Sequence, residues 1–290
     1  MNAIKTELLT KYYGKKRGII DVSLAVSEGD FFGFIGPNGA GKSTLIRTLL
    51  GLISKSSGSA EIFGRDISEG KIANLSDIGY MPSEANFYSG MKVGDVIALS
   101  QKIRGVDCRA EAAILCERLQ LDVSRKIEHL SLGNRKKVGI VCALAHKPKL
   151  YVLDEPTSGL DPLMQKEFYS ILRERNEEGA TVFLSSHVLS EVGKYCKSAA
   201  VIREGRILLS DKVENLVHTG VKRVTLKGVS DTVCIENARD VSFENGTLNF
   251  LYSGKPQQLL AQIKDVELED ISIVDPELDE VFMHYYAKGG

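Results

Sequence analysis

The feature that most constrains the fold is a glycine-rich loop that joins a short apolar segment to a helix. The apolar segment, Phe31 to Ile35, is predicted to be a buried β-strand. After the loop, apolar residues recur at helical spacing from Leu45 to Leu50, and Gly51 ends the segment. Strand, loop and helix in this order are typical of the start of an α/β fold. The loop residues are Gly36, Pro37, Asn38, Gly39, Ala40, Gly41, Lys42 and Ser43.

This loop matches the pattern G-x-x-x-x-G-K-S/T in full. Its glycines allow successive backbone N–H groups to point at phosphate oxygens. In this pattern the lysine, here Lys42, reaches the β- and γ-phosphates, and the hydroxyl of Ser43 binds Mg²⁺. A chance match would have no reason to lie between a strand and a helix. The loop therefore predicts binding of a nucleoside triphosphate together with Mg²⁺.

A second apolar segment, Leu150 to Leu153, is followed directly by Asp154 and Glu155. The carboxyl end of a buried strand lies at the edge where α/β sheets hold their ligands. Asp154 suits the Mg²⁺ shell, and Glu155 can take a proton from the attacking water. Two acids after an apolar run are more often only the end of a strand. The phosphate-binding loop upstream favours the functional interpretation.

Five further segments resemble the ATPases of ATP-binding cassette (ABC) proteins, and they follow that family's order along the chain. They are Leu9 to Gly14 (the adenine-stacking segment), Ile78 to Pro82 (the approach to the Q-loop), Leu130 to Asn134 (the signature LSGGQ), Ser158 to Asp161 (the D-loop) and Ser185 to His187 (the switch histidine). The resemblance covers residues 1 to about 215. It implies an α/β P-loop NTPase cassette, with a RecA-like core, a helical subdomain and an antiparallel β subdomain.

The resemblance also implies roles within one cassette. Tyr13 would stack on the adenine of ATP, with Tyr12 the less favoured candidate. Thr44 would join the loop in holding the phosphates and Mg²⁺, with Asp154 supporting the metal. The catalytic residues would be Lys42, Glu155 as the base, and His187, which contacts the γ-phosphate.

Other implied roles involve a partner. The family works as a head-to-tail dimer of cassettes that closes on two ATP molecules and opens after hydrolysis. Ser131 and Gly133 of the signature would touch the γ-phosphate of ATP held by the other cassette. The second cassette could be a copy of this chain or a different chain.

The chain departs from the family pattern in two places. Ser83 occupies the usual position of the Q-loop glutamine and is too short to reach Mg²⁺ and the water directly. Either Glu84 substitutes for that glutamine or a water molecule bridges the gap. In the signature, Leu132 and Asn134 replace a glycine and the final glutamine, but the serine and glycine that meet phosphate remain. We expect ATPase activity, with a slower rate as one outcome.

Two domains are expected: an ABC cassette over residues 1–215, with its helical subdomain at about 84–140, and a small C-terminal α+β domain over residues 216–290. The second domain shows short alternating strands, Val221 to Leu226 and Leu248 to Tyr252, and helices at Gln257 to Lys264 and Leu278 to Tyr286. No chemistry is evident in it.

Composition limits the kinds of partner and the cellular compartment that we expect for this chain. With 37 basic and 38 acidic side chains, the net charge of −1 argues against a nucleic-acid-binding role, and no nucleic acid partner is expected. No apolar run approaches the roughly 18 residues that cross a bilayer. The five scattered cysteines fit free thiols in a reducing compartment. Two basic clusters, at Lys11 to Arg17 and at Arg135 to Lys137, are interpreted as solvated surfaces.

These observations favour the motor subunit of an ABC transporter. Because one cassette and no membrane span are present, transport would require separate integral membrane permease subunits. The sequence resembles the ATPases of bacterial exporters for drugs, antibiotic peptides, ions or lipids, and most of all those for drugs and antibiotic peptides. We therefore expect an exporter subunit on the cytoplasmic side, peripheral on the inner face of the cell membrane. The alternatives are an ABC ATPase acting on ribosomes or DNA without transport, and a regulatory cassette with slow turnover.

Overall fold

The computed structural model describes residues 1–67, 77–88, 90–217, 221–231, 233 and 235–275. The chain divides into two compact units, with the boundary between Asp211 and Lys212. The sequence-based boundary at 215/216 lies four residues later. The predicted helix from Leu278 to Tyr286 lies outside the described residues. Within the described part, no helix is long and apolar enough to span a membrane.

An antiparallel sheet opens the first unit. Its four strands have the spatial order β2-β1-β4-β5, and they are β1 (Asn2–Tyr13), β2 (Lys16–Ser27), β4 (Ser57–Ile62) and β5 (Arg65–Asp66). The tight turn between β1 and β2 passes through Gly14, whose φ of 60° favours glycine. Lys15 and Lys16 are exposed at this turn, as expected for a solvated hairpin.

A second sheet forms the centre of the unit. Its spatial order is β10-β9-β3-β8-β7-β6, and the strands are β3 (Phe31–Ile35), β6 (Ile78–Met81), β7 (Leu150–Asp154), β8 (Thr181–Ser186), β9 (Ser198–Arg203) and β10 (Arg206–Lys212). The pairs that join β9, β3, β8, β7 and β6 are parallel. All five residues of β3 are buried, as in sheets covered on both faces. This confirms the predicted α/β class.

Helices connect and cover the parallel strands. They are α1 (Lys42–Leu49), α4 (Leu132–Leu144), α5 (Pro162–Glu177) and α6 (Leu189–Tyr195). Helix α5 begins at Pro162, because proline suits the first turn and the Asp161 carboxylate accepts a hydrogen bond from the Met164 N–H at 3.0 Å. It ends before Gly179, which has a φ of 101°.

The helical subdomain contains α2 (Val93–Arg104), α3 (Arg109–Arg118) and a 3₁₀ turn (Ile127–His129). Charge pairs join α3 to α5 of the core. Arg118 binds Glu167 and Glu174, each at 2.6 Å, and these hydrogen bonds raise the pKa of the guanidinium. The subdomain is therefore held to the core by side chains as well as by the chain itself.

The second unit is α+β in character. Its antiparallel sheet has the order β12-β13-β11-β14, and its elements are α7 (Val213–Val217), β11 (Val221–Lys227), β12 (Ala238–Glu244), β13 (Thr247–Ser253), α8 (Pro256–Ile263) and β14 (Asp270–Val274). Alternate residues of β11 and β13, such as Val224 and Phe250, pack against Leu259 and Ile263 of α8. This small core belongs to the second unit alone.

Candidate active site

The phosphate-binding loop connects β3 to α1 with little room for side chains. Gly41, immediately before α1, has a φ of 114°, a conformation that residues with a Cβ rarely adopt. At Gly36 a Cβ would lie 2.4 Å from the carbonyl oxygen of Ile202. Both positions therefore require glycine. Within the loop, Ala40 is buried, whereas Pro37, Asn38 and Gly39 are exposed.

The Lys42 side chain is 5% exposed and folds back along the loop. Its ammonium donates hydrogen bonds to the carbonyl oxygens of Gly36 at 2.6 Å and Pro37 at 3.3 Å. The same nitrogen lies 3.0 Å from Oε1 of Glu155, forming a largely buried ion pair. The loop lysine and the acid after β7 therefore meet directly, although they are 113 positions apart in the sequence.

A cleft of about 260 Å³ lies over the loop. Six loop residues line it: Pro37, Asn38, Gly39, Gly41, Lys42 and Ser43. Thr44, Ser83 and Glu155 line it too, whereas Glu84 is exposed and does not. Arg17 and Gly18 also border the cleft. Neither residue is among the site residues expected from the sequence, in which Arg17 is interpreted only as part of a solvated surface.

Asp154 ends β7 and is fully buried. Its Oδ1 accepts a hydrogen bond from the Ser185 hydroxyl at 2.5 Å, across the register pair that joins β7 and β8. Its Oδ2 is buried and receives no hydrogen bond. A buried carboxylate oxygen with free lone pairs is the type of atom that Mg²⁺ prefers, so this donor fits the metal expected from the loop.

Glu155 is held at its backbone and at its side chain. Its N–H donates to the backbone oxygen of Ser185 at 3.2 Å, and its carbonyl accepts from the Lys136 ammonium at 2.7 Å. The carboxylate lies between two nitrogens: Nζ of Lys42 at 3.0 Å and Nδ1 of His187 at 2.6 Å. The predicted loop lysine, acid and histidine therefore form one cluster, with His187 about half exposed.

The interpretation of the cluster from Arg135 to Lys137 as a solvated surface is wrong for two of its three residues. Only Arg135 is exposed, while Lys136 and Lys137 are buried. Helix α4 packs against β6 and against helices α2 and α3, and no residue of the helix from Lys136 onward is exposed. Burial lowers the pKa of Lys136, and the charges of Asp154, Glu155 and Glu84 partly oppose that shift.

Tyr13 lies at the end of β1, beside the loop. A Cβ built on Gly18 would be 2.8 Å from Cγ2 of Thr44 and 3.1 Å from Cε2 of Tyr13, so both side chains border this glycine. The Tyr13 ring is about half exposed, with the Lys11 ammonium 5.4 Å from its centre. Tyr12, as the adjacent strand residue, points to the opposite face of the strand.

The signature residues lie apart from this cleft. Ser131 is exposed at the start of α4, where its Oγ accepts a hydrogen bond from the Asn134 N–H at 3.3 Å. At Gly133 a Cβ would be 2.6 Å from the carbonyl oxygen of Gly159, so the signature packs tightly on the D-loop. Neither Ser131 nor Gly133 lines the cleft. A helix N-terminus of this kind favours an anion.

Together the loop, the acids at the edge of the parallel sheet and the helical subdomain define a P-loop ATPase of the cassette class. Residues 19–158 match the family model described as ABC transporter. The bacitracin transport ATP-binding protein of Bacillus licheniformis is 38% identical over 211 residues, which cover 71% of this chain and 68% of that protein. The chain belongs to the ABC transporter ATP-binding proteins.

Two further proteins are similar to this chain, one in sequence and one in solved structure. The lantibiotic transport ATP-binding protein of Streptococcus pyogenes is 36% identical over 220 residues, covering 73% of this chain and 93% of that protein. A solved structure of an ATP-binding subunit of an ABC transporter has a TM-score of 0.70 and 28% identity, covering 74% of this chain and 91% of that one. These findings confirm the predicted cassette fold, and the chain is an ATP-binding ATPase subunit of an ABC transporter. The non-transport alternative is not favoured.

Proposed function

We propose that this chain hydrolyses ATP to drive a bacterial exporter of the drug or antibiotic-peptide class, acting on the inner face of the membrane with separate permease subunits. The observation that carries the proposal is the 38% identity to the bacitracin transport protein over 211 residues, a length far greater than that of the motifs alone. A relative named for lantibiotic transport supports the same class of cargo. Residues 1–215 would form the motor and residues 216–290 an accessory domain.

In this proposal the loop residues from Gly36 to Thr44 bind the phosphates of ATP. Lys42 exchanges its carbonyl partners for the β- and γ-phosphates, and Tyr13 stacks on the adenine beside Thr44. Ser43 and Asp154 would hold Mg²⁺, which neutralises charge on the transferred phosphate. The unbonded Oδ2 of Asp154 supports this assignment.

Glu155 acts as the general base. Its carboxylate is oriented by its contacts with Lys42 and His187, and it lines the cleft that the loop forms. When Lys42 turns to the phosphates, Oε1 becomes available to accept a proton from the attacking water. His187 then contacts the γ-phosphate, which is the role expected of the switch histidine.

Ser83 takes part through a water molecule rather than by direct contact. Of the two candidates at the Q-loop, Ser83 lines the cleft and Glu84 does not, which favours the water bridge over substitution by Glu84. A serine hydroxyl both donates and accepts hydrogen bonds, as a bridge of this kind requires.

The active unit is a head-to-tail dimer. Ser131 and Gly133 stand at the exposed N-terminus of α4, where backbone N–H groups and the helix dipole favour the γ-phosphate of ATP held by the partner cassette. Closure of the dimer would complete each site only when both nucleotides are present.

The permease subunit would dock in an apolar groove at the edge of the helical subdomain. The groove has a volume of about 620 Å³, and its lining includes Leu52, Phe87, Tyr88, Leu99 and Ile103. Tyr88 and Ile103 are 77% and 76% exposed. Exposed apolar side chains around one concavity are typical of a site for a partner's amphipathic helix.

If the groove is the docking site, substitutions in it should prevent binding of the membrane subunit without affecting ATP hydrolysis. We expect the double substitution Tyr88→Ser with Ile103→Ser to abolish copurification of the membrane subunit and leave ATP hydrolysis by the isolated chain unchanged, because neither residue lines the nucleotide cleft. Leu208→Ser, which changes an exposed leucine on β10, is the matched control. Retained copurification in the double variant would contradict the groove as the docking site.

The proposed function is tested by tagging the chain in its native cell, extracting membranes with mild detergent and identifying what copurifies. We expect one kind of integral membrane protein in roughly stoichiometric amount, and ATP-dependent resistance of the cells to a peptide antibiotic. Recovery of the chain without any membrane protein, or with ribosomes, would refute the transport role and leave the ATPase activity in place.

A further inference from the structure

One buried cation near the active site has no part in the roles described above. Lys136 is 2% exposed, yet its ammonium reaches the carbonyl oxygen of Glu155 at 2.7 Å. A buried ammonium is costly unless it is hydrogen-bonded and compensated by charge. Here the compensation comes from acids of the active site itself, Asp154 and Glu155, together with Glu84.

The residue that Lys136 holds has an unusual backbone conformation. Glu155 has a φ of 50°, in the left-handed region that residues with a Cβ seldom occupy. Such a conformation persists only where the surroundings enforce it. Ser185 on β8 accepts a hydrogen bond from the peptide N–H of Glu155, and Lys136 on α4 donates one to its carbonyl oxygen, so two elements fix the direction in which the carboxylate leaves the chain.

Lys136 also connects two parts of the catalytic cycle. It lies on α4, five residues after Ser131 at the helix N-terminus, which corresponds to about 7.5 Å along the axis. A helix is rigid over this distance. A displacement of α4 by nucleotide at its N-terminus would therefore reach the backbone of Glu155 through the Lys136 hydrogen bond.

We propose that Lys136 is a positioning residue, which holds Glu155 in its left-handed conformation and ties the catalytic base to the signature helix. The inference rests on the proposed role of Glu155 as the base. Lys136 contacts the backbone of that residue and acts on the reaction only through it.

The test compares four variants of the full chain: Lys136→Met, Lys136→Arg, Glu155→Gln and the double variant Lys136→Met with Glu155→Gln. Methionine keeps an unbranched stem of similar length but removes the donor. We expect Lys136→Met to lower kcat by about 10- to 100-fold, since small displacements of a catalytic group have effects of this size. The Kd for ATP should change less than threefold, because Lys136 does not line the nucleotide cleft.

Two further results distinguish positioning from a general structural role. Lys136→Arg, which keeps a charged donor, should restore most of the lost kcat. In the Glu155→Gln background, Lys136→Met should have no additional effect on residual hydrolysis, because the group that it positions is no longer a base. Lys166→Met, which removes an exposed cation from α5, controls for the change in charge.

Each outcome has a distinct meaning. Normal kcat in a folded Lys136→Met chain, with Glu155→Gln inactive, would refute the inference and leave the base assignment intact. An equal loss from Lys136→Met in both backgrounds would also refute it, because the effect would not pass through Glu155. Hydrolysis at the normal rate in the Glu155→Gln variant would refute the base assignment and the inference together. If Lys136→Met fails to fold, Lys136→Gln replaces it in the comparison with Lys136→Arg, because the glutamine side chain is uncharged and shorter than that of lysine.

Discussion

Steady-state ATP hydrolysis is expected to fall by about 10²- to 10⁴-fold when Glu155 is replaced with glutamine, the range typical of loss of a general base. The amide has nearly the same shape as the carboxylate but cannot accept the proton of the attacking water. It can still accept a hydrogen bond from Lys42 or donate one to His187, depending on its orientation. Binding of ATP is therefore expected to remain, and an ATP-bound dimer should accumulate.

The measurement is phosphate release at saturating ATP, paired with size-exclusion chromatography in the presence of ATP. Glu117→Gln, which changes an exposed carboxylate on α3, is the control and should match the unmodified chain in both assays. Hydrolysis at the normal rate by Glu155→Gln would remove Glu155 from the role of base. Loss of ATP binding in the same variant would instead indicate that the carboxylate holds the loop together.

Replacement of Lys42 with alanine is expected to weaken ATP binding by about 10- to 100-fold. The ammonium would make charge-assisted hydrogen bonds to the β- and γ-phosphates, and a hydrogen bond to a charged group contributes about 1.5–3 kcal/mol. Each 1.4 kcal/mol corresponds to a tenfold change in Kd. Without ATP, the lysine is occupied by the carbonyls of Gly36 and Pro37 and by Glu155, so the phosphates must replace these partners.

Equilibrium binding of a fluorescent ATP analogue measures this effect. Lys166→Ala, on the surface of α5, serves as the control for charge. Lys42→Ala also removes the cation that faces the pair of Glu155 and His187, so the unfolding temperature of this variant should be recorded alongside its Kd. Normal affinity in a folded Lys42→Ala chain would contradict the assignment of the loop to the phosphates.

Much of the cassette could be predicted because its signals are local. The strand from Phe31 to Ile35 is a continuous apolar run, the loop after it carries its glycines at fixed spacing, and α5 has a proline at its first position and a glycine after its end. Each of these patterns depends on neighbouring residues only.

The contacts within the active site could not be predicted in the same way, because they join residues that are far apart in the chain. Glu155 meets Lys42 and His187 only because β3 and β7 lie on either side of β8, so that their carboxyl ends converge. The resemblance to a family named these three residues, but no pattern in the sequence measures the distances between them. Their catalytic roles stay predictions until the variants are tested.

Lys136 and Arg17 show where reasoning from the sequence was insufficient. Three consecutive basic residues at Arg135 to Lys137 are typical of a solvated surface, and charge alone does not indicate which of them faces the interior. Helical spacing places Lys136 on the same side of α4 as Gly139 and Ile140. Whether that side is buried depends on which elements pack against it, and the sequence does not give this. Arg17 borders the cleft because the hairpin of β1 and β2 folds over the loop, and the local sequence does not show this tertiary contact.

By itself, the sequence determined the class of the protein: a phosphate-binding loop, an acid pair after a buried strand and a signature segment in family order, each a pattern set by local backbone and side-chain chemistry. Only the tertiary structure decided which charges share one site. It brought Lys42 and His187 to the carboxylate of Glu155 and Lys136 to its backbone, because burial and ion pairing depend on which elements pack together rather than on their order in the chain.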